Sequence, residues 1–140
     1  MNDNAITEQI IGAAIEVHRA LGPGLLESAY EACMVRELTD LRLLVERQKS
    51  LPVTYKGERV DCGYRMDLLV SGRVVVELKV VDRFDAVHQA QLLSYLRLAN
   101  LNVGLLINFN VTRLVQGIRR VVHHHPEASA DSALSAVSHV

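Results

Sequence analysis

A chain of 140 residues, 49% hydrophobic and 22% charged, has the size and composition of one globular domain with a single core. Its net charge of −1 argues against a protein built on a broad basic surface, although metal ions can meet phosphate in a site that is not itself basic. No run approaches the roughly 18 apolar residues of a membrane span, and the opening MNDNAITEQI lacks the basic and apolar regions of an export signal, so a cytoplasmic protein is expected.

Taken in order, Ile6, Ile10, Ile11, Ala14, Val17 and Leu21 recur at helical spacing behind Asn4 or Thr7 as a cap, and Gly22-Pro23-Gly24 stops that helix. A second helix over about 25–41 is expected to bury Leu26, Ala29, Tyr30, Cys33, Met34, Leu38 and Leu41. Glu27 falls in its first turn, either as an exposed acid favoured by the helix dipole or as an acid aimed at the sheet. Residues 44–55 read as one interrupted or two short strands, and Pro52 assigns them to an edge or a bulge. A strand over 60–70 and another over 74–81 flank Ser71-Gly72-Arg73 as a hairpin. A helix over about 85–100 follows, with Leu92, Leu93, Leu96 and Ala99 on its apolar side. Phe84, His88, Gln91 and Tyr95 form a second stripe, which is either a boundary between core and water or part of a site. Residues 102–109 are apolar on both faces and should lie parallel to 74–81 after a right-handed crossover. A last strand over 113–122 can close the sheet. The Ala- and Ser-rich residues 123–140 read as a disordered tail outside a single domain of residues 1–122, with His123 to His125 as adventitious metal binders at most. Cys33 and Cys62, far apart and without CxxC spacing, are expected as buried, reduced thiols.

The hairpin carries the chemistry. Strand residues two apart share a face, so Glu77 and Lys79 stand side by side in a run of valines. Matching the apolar even-numbered faces of the two strands pairs Val70 with Val74 across a three-residue loop. That register sets Asp67, with Arg65 on the same odd-numbered face, opposite Glu77 and one step from Lys79. Two carboxylates so close repel unless a cation or a proton lies between them, which points to a divalent-metal site. The bland alternative is a Glu77–Lys79 structural ion pair, against which Asp67 is a surplus acid.

Asp67 followed by Glu77-Leu78-Lys79 resembles the core of the PD-(D/E)xK nuclease superfamily. Gly24-Leu25-Leu26-Glu27-Ser28-Ala29-Tyr30 resembles the G-x-x-E-x-x-Y signature of one of its small families, and GYRMDLLV, VVVELKVV, HQAQLLSYL, GLLINF and GIRR are similar to that family's pattern over residues 6–122. The resemblance implies an α/β, three-layer, restriction-endonuclease-like fold of order ααβββαβ(β), with a mixed central sheet flanked by helices. It implies Mg²⁺ or Mn²⁺ held by Asp67, Glu77, the carbonyl of Leu78 and Glu27, and Lys79 as the catalytic lysine. Gln91 and Tyr95 resemble the Q-x-x-x-Y element of RecB-like nucleases, Gln91 as a further catalytic residue and both as substrate contacts together with Arg65. Met66 stands where the motif's name has proline. The expected activity is hydrolysis of phosphodiester bonds in nucleic acid, DNA first, with a homodimer or a protein partner helping to hold substrate. The alternative is a weakly active or inactive module of the same fold that binds nucleic acid or a protein partner.

Overall fold

The computed structural model describes residues 1–123. Residues 124–140, including His124, His125 and nearly all of the expected tail, lie outside the described residues. Helix α1 (Asp3–Leu21) is capped by Asn2, one position ahead of the helix and not by Asn4 or Thr7; its side chain accepts from the Ala5 N–H at 2.8 Å. Ile6, Ile10, Ala14 and Val17 form the buried stripe the spacing calls for. Helix α2 (Glu27–Asp40) is shorter than the apolar pattern implies. Tyr30, Met34 and Leu38 are fully buried, whereas Leu26 and Leu41, expected inside, are exposed because they lie at the helix ends, and Leu25, expected as the first helical residue, is exposed in the turn ahead of it.

The strands are β1 (Val45–Ser50), β2 (Val53–Tyr55), β3 (Glu58–Val60), β4 (Arg65–Val70), β5 (Val74–Lys79), β6 (Val103–Asn108) and β7 (Ile118–Val122), with helix α3 (Ala86–Ala99) between β5 and β6. Five of them form one sheet in the order β1-β4-β5-β6-β7; β5 and β6 are parallel and the other pairs antiparallel. β2 and β3 form a separate ribbon. Helices α1 and α2 cover one face over Leu68, Val70, Val74, Val76 and Leu78, and α3 covers the other over Leu69, Val75 and Leu106. The chain is therefore α/β and three-layered, a mixed sheet between helices consistent with a restriction-endonuclease-like fold. Among the described residues no helix is long and apolar enough to cross a membrane.

Two strand expectations are corrected. Residues 60–70 are not one strand: β3 ends at Val60, Gly63 takes a φ of +79° with its N–H donated to Asp61 Oδ1, and β4 begins at Arg65. A left-handed glycine held by an aspartate is a turn, so the ladder cannot run through it. Val60 and Tyr64 are consequently exposed and so is Cys62, while Cys33 is partly buried; both thiols are free. Residues 114–117 form a 3₁₀ turn ahead of β7, not strand. A Cβ at Gly117 would run into the backbone carbonyl oxygen of Asn108. Gly117→Ala should cost about 1–3 kcal/mol, read as a lower thermal midpoint, because the obstruction is backbone and cannot swing aside.

Candidate functional site

The hairpin register is the one that matches apolar faces: Val70↔Val74, Leu69↔Val75 and Leu68↔Val76, with Ser71 and Gly72 at positive φ in the turn. Beyond Leu68 the ladder changes character. The Asp67 N–H donates to Glu77 Oε2 at 2.8 Å, and the Leu78 N–H donates to Asp67 Oδ2 at 2.8 Å. Each carboxylate thus takes a backbone amide of the opposite strand on one of its oxygens, and the two acids face each other.

Burial decides the electrostatics. Glu77 is 4% exposed, and its pKa is pushed up to about 8, first by burial and then by the Asp67 charge, against the Asp67 N–H bond and the Lys79 amine. Asp67 is also raised, mainly by burial, with the Leu78 N–H and Lys79 pulling the other way. Much of Glu27 is exposed, yet its carboxyl is raised by partial burial first and next by Asp67, with Lys79 opposing. Tyr95 is raised by burial and by the charges of Glu77 and Asp67. Glu27, Asp67, Glu77, Lys79 and Tyr95 therefore share one field.

Two residues with no signal in the sequence join them. Glu31 is one helical turn after Glu27 on α2 and accepts from Gln48 Nε2 at 2.7 Å and from Arg47 at 3.1 Å. Gln48 Nε2 also reaches Asp67 Oδ1 at 3.4 Å. Gln48 has a φ of +48° within β1, directly across from Asp67, where the pairing skips from Arg47↔Leu68 to Lys49↔Met66. A non-glycine residue there is uncommon and costs about 1–3 kcal/mol. The even-numbered apolar face expected along residues 60–70 breaks at this level: Leu68 and Val70 pack under α1 and α2, whereas Met66 packs under α3. The interruption that leaves Asp67 free of the ladder is built into both β1 and β4.

The start of α2 is set by Tyr30. Its hydroxyl donates to the Gly22 carbonyl at 2.6 Å and accepts from the Leu25 N–H at 3.2 Å, and its ring stacks on Phe109 at 4.4 Å and 10°. The tyrosine of the G-x-x-E-x-x-Y stretch thereby ties down the turn that delivers Glu27. Tyr30→Phe should cost about 1–3 kcal/mol by orphaning Leu25 N–H, with a lower thermal midpoint and faster amide exchange at Leu25 as the checks.

The stripe on α3 divides. His88 Nδ1 accepts from the Asp85 N–H at 3.0 Å and so caps the helix, and Phe84 carries the Arg119 guanidinium 5.7 Å from its ring centre. Tyr95 is buried and feels the charges of the acids, while Gln91, one turn earlier, is exposed. Arg65 is exposed at the start of β4. The Lys79 carbonyl accepts from the Phe109 N–H at 3.0 Å, and buried Asn108 binds both the N–H and the carbonyl of Val81, which fixes the chain at the lysine and just after it.

Among the described residues no three His, Cys, Asp or Glu side chains converge as a metal-holding group. Of the expected ligands, Asp67, Glu77 and the backbone of Leu78 are brought together, and Glu27 bears on them by its charge, standing off at the exposed start of α2. An all-oxygen set with two facing carboxylates, both raised chiefly by burial, fits a hard divalent cation such as Mg²⁺ or Mn²⁺.

No curated protein matches the chain, and no solved structure does. The model of the PD-(D/E)XK nuclease superfamily matches residues 4–121, which take in all of the helices but Asp3 of α1, and both acids and the lysine of the site. With that match over most of its length, the chain belongs to the PD-(D/E)XK nuclease superfamily.

Proposed function

We propose that this nuclease domain is a metal-dependent phosphodiesterase acting on nucleic acid, DNA first, and that within the superfamily it is a member of the GxxExxY family. The observation that carries the reading is the reciprocal pairing of Asp67 and Glu77 through each other's strand amides, with Lys79 on the same strand and in the same field. Asp67, Glu77 and the Leu78 carbonyl hold the cation. Bound Mg²⁺ or Mn²⁺ neutralises phosphate charge and lowers the pKa of water. Lys79 orients the attacking water and stabilises the charge developing on the phosphate oxygens. Glu27 adds negative potential that favours the cation, Gln91 completes the shell from α3, Arg65 meets phosphate, and Tyr95 forms the wall behind the acids.

The test uses purified protein with Mg²⁺ or Mn²⁺ and labelled single- and double-stranded DNA and RNA, beside Asp67→Asn and Glu77→Ala. Metal-dependent cleavage lost in both variants supports the assignment; cleavage unchanged in both sinks it. A second reading, a nuclease-fold module working with a partner, is favoured by the lack of a three-acid metal cluster among the described residues. Titration calorimetry with no uptake of Mn²⁺ at millimolar levels would select it.

A further inference from the structure

Tyr64 has no part in the metal site, yet it is placed at its edge. It is 45% exposed, and its ring lies 6.1 Å and 59° from that of Tyr95, the tyrosine whose hydroxyl feels the charges of Glu77 and Asp67. The backbone on either side is fixed: the Tyr64 carbonyl accepts from the Leu51 N–H at 2.9 Å, and Gly63 is held in its turn by Asp61. An aromatic ring left half in water on a fixed backbone, with a second ring tilted against it, offers apolar surface to a ligand. The chain has four tyrosines, two phenylalanines and no tryptophan, so bringing two rings to the acids uses a third of its supply. Leu25 and Leu26, exposed immediately ahead of Glu27, add apolar surface on the α2 side.

Cations are scarce by comparison. The charges acting on Glu77 are Asp67 and Glu27 against Lys79, and on Asp67 Glu31 against Lys79, and Arg47 is engaged with Glu31. Intact duplex presents phosphates and hides its base faces, so a duplex binder depends on many cationic contacts. A single strand offers base faces, which stack on aromatic rings largely irrespective of sequence.

We propose that Tyr64 is a base-stacking platform beside the Asp67–Glu77–Lys79 site, and that the site takes single-stranded nucleic acid, DNA or RNA, in preference to intact duplex. The inference deepens the phosphodiesterase reading by naming its substrate class, but stacking itself requires no cleavage. Arg65, the next residue and free of ion pairs among the described residues, is positioned to meet the phosphate that follows the stacked base.

Because the chain has no tryptophan, Tyr64→Trp creates a single-site reporter. Its emission is titrated in EDTA and in Ca²⁺ with DNA and RNA strands of roughly 12 nucleotides, the matching duplex and an abasic strand of equal length. Quenching by the single strands at concentrations about tenfold or more below those needed for duplex, and none by the abasic strand, is the expected result. In parallel, wild type, Tyr64→Phe and Tyr64→Ala are compared for cleavage. Tyr64→Ala should raise KM for single strands roughly tenfold with kcat within about threefold, and Tyr64→Phe should stay within about twofold of wild type. Emission that does not respond, equal binding of the abasic strand, or preference for duplex overturns the proposal. If wild type cleaves and Tyr64→Ala cleaves equally well, the platform fails and the phosphodiesterase reading stands. If the reporter is quenched as expected but wild type cleaves nothing, the platform stands and the phosphodiesterase reading fails.

Discussion

Lys79→Ala should lower kcat by about 10²–10³-fold while leaving Mn²⁺ binding unchanged or tighter. The two halves of that expectation have different physical origins. The amine stabilises charge that exists only as the phosphate is attacked, so its loss appears in the chemical step. It also sits in the field of Glu27, Asp67 and Glu77 and favours their ionised forms. Removing a positive charge from beside two carboxylates leaves more negative potential for a divalent cation. Asp67→Asn should do the reverse, weakening Mn²⁺ binding by at least about tenfold and abolishing cleavage with it. Single-turnover cleavage at saturating metal, with calorimetric titration of each variant, separates the two. Lys79→Arg should not rescue, since a planar guanidinium cannot occupy the place of a compact ammonium. If Lys79→Ala abolishes metal binding as well, the lysine is holding the site together and its catalytic role is wrong.

Metal-free protein should be more stable at about pH 5 than at about pH 9, by on the order of 2–4 kcal/mol from Glu77 alone. Its folded pKa, about 8, lies above the ordinary glutamate value of 4.5. The folded state therefore binds the proton more tightly than the unfolded chain. That stability is fully present below about 4.5 and is lost as pH rises through about 8. The shifts of Asp67 and Glu27 have the same sign and add in the same direction. Glu77→Gln should flatten the profile and raise the stability of metal-free protein at the alkaline end, because a neutral amide oxygen can still accept the Asp67 N–H. Mg²⁺ or Mn²⁺ should stabilise wild type more at about pH 9 than at about pH 6, since proton and cation compete for the same oxygens. Denaturant unfolding across this range, with EDTA or with metal, measures all three. A profile that rises towards alkaline pH in EDTA would show that Glu77 is not a buried, proton-holding acid.

Both predictions rest on features with different degrees of legibility in the chain. The facing of Asp67 and Glu77 was readable, because a strand has a period of two and one register alone matches Leu68 and Val70 to Val74 and Val76. The parallel placement of 74–79 and 103–108 around α3 followed from the same kind of local rule, a buried apolar strand reached through one helix. Helix ends were less accessible: Leu25, Leu26 and Leu41 have apolar side chains at suitable spacing, and the exclusion of the first two from the helix depends on the Tyr30 hydroxyl bonds across the turn.

What the amino-acid order determined by itself is where Asp67, Glu77 and Lys79 fall along two adjoining strands, since periodicity and the cost of placing charges among valines are local properties. What the tertiary structure decided is how that set is tuned. The break at Gln48 and Asp67 that turns Met66 to the α3 side, the approach of Glu31 and Gln48 and the meeting of Tyr64 with Tyr95 join residues 17 to 31 positions apart. Such contacts arise from strand twist and helix placement, whose energies are spread over the whole core, so no single stretch of sequence encodes them.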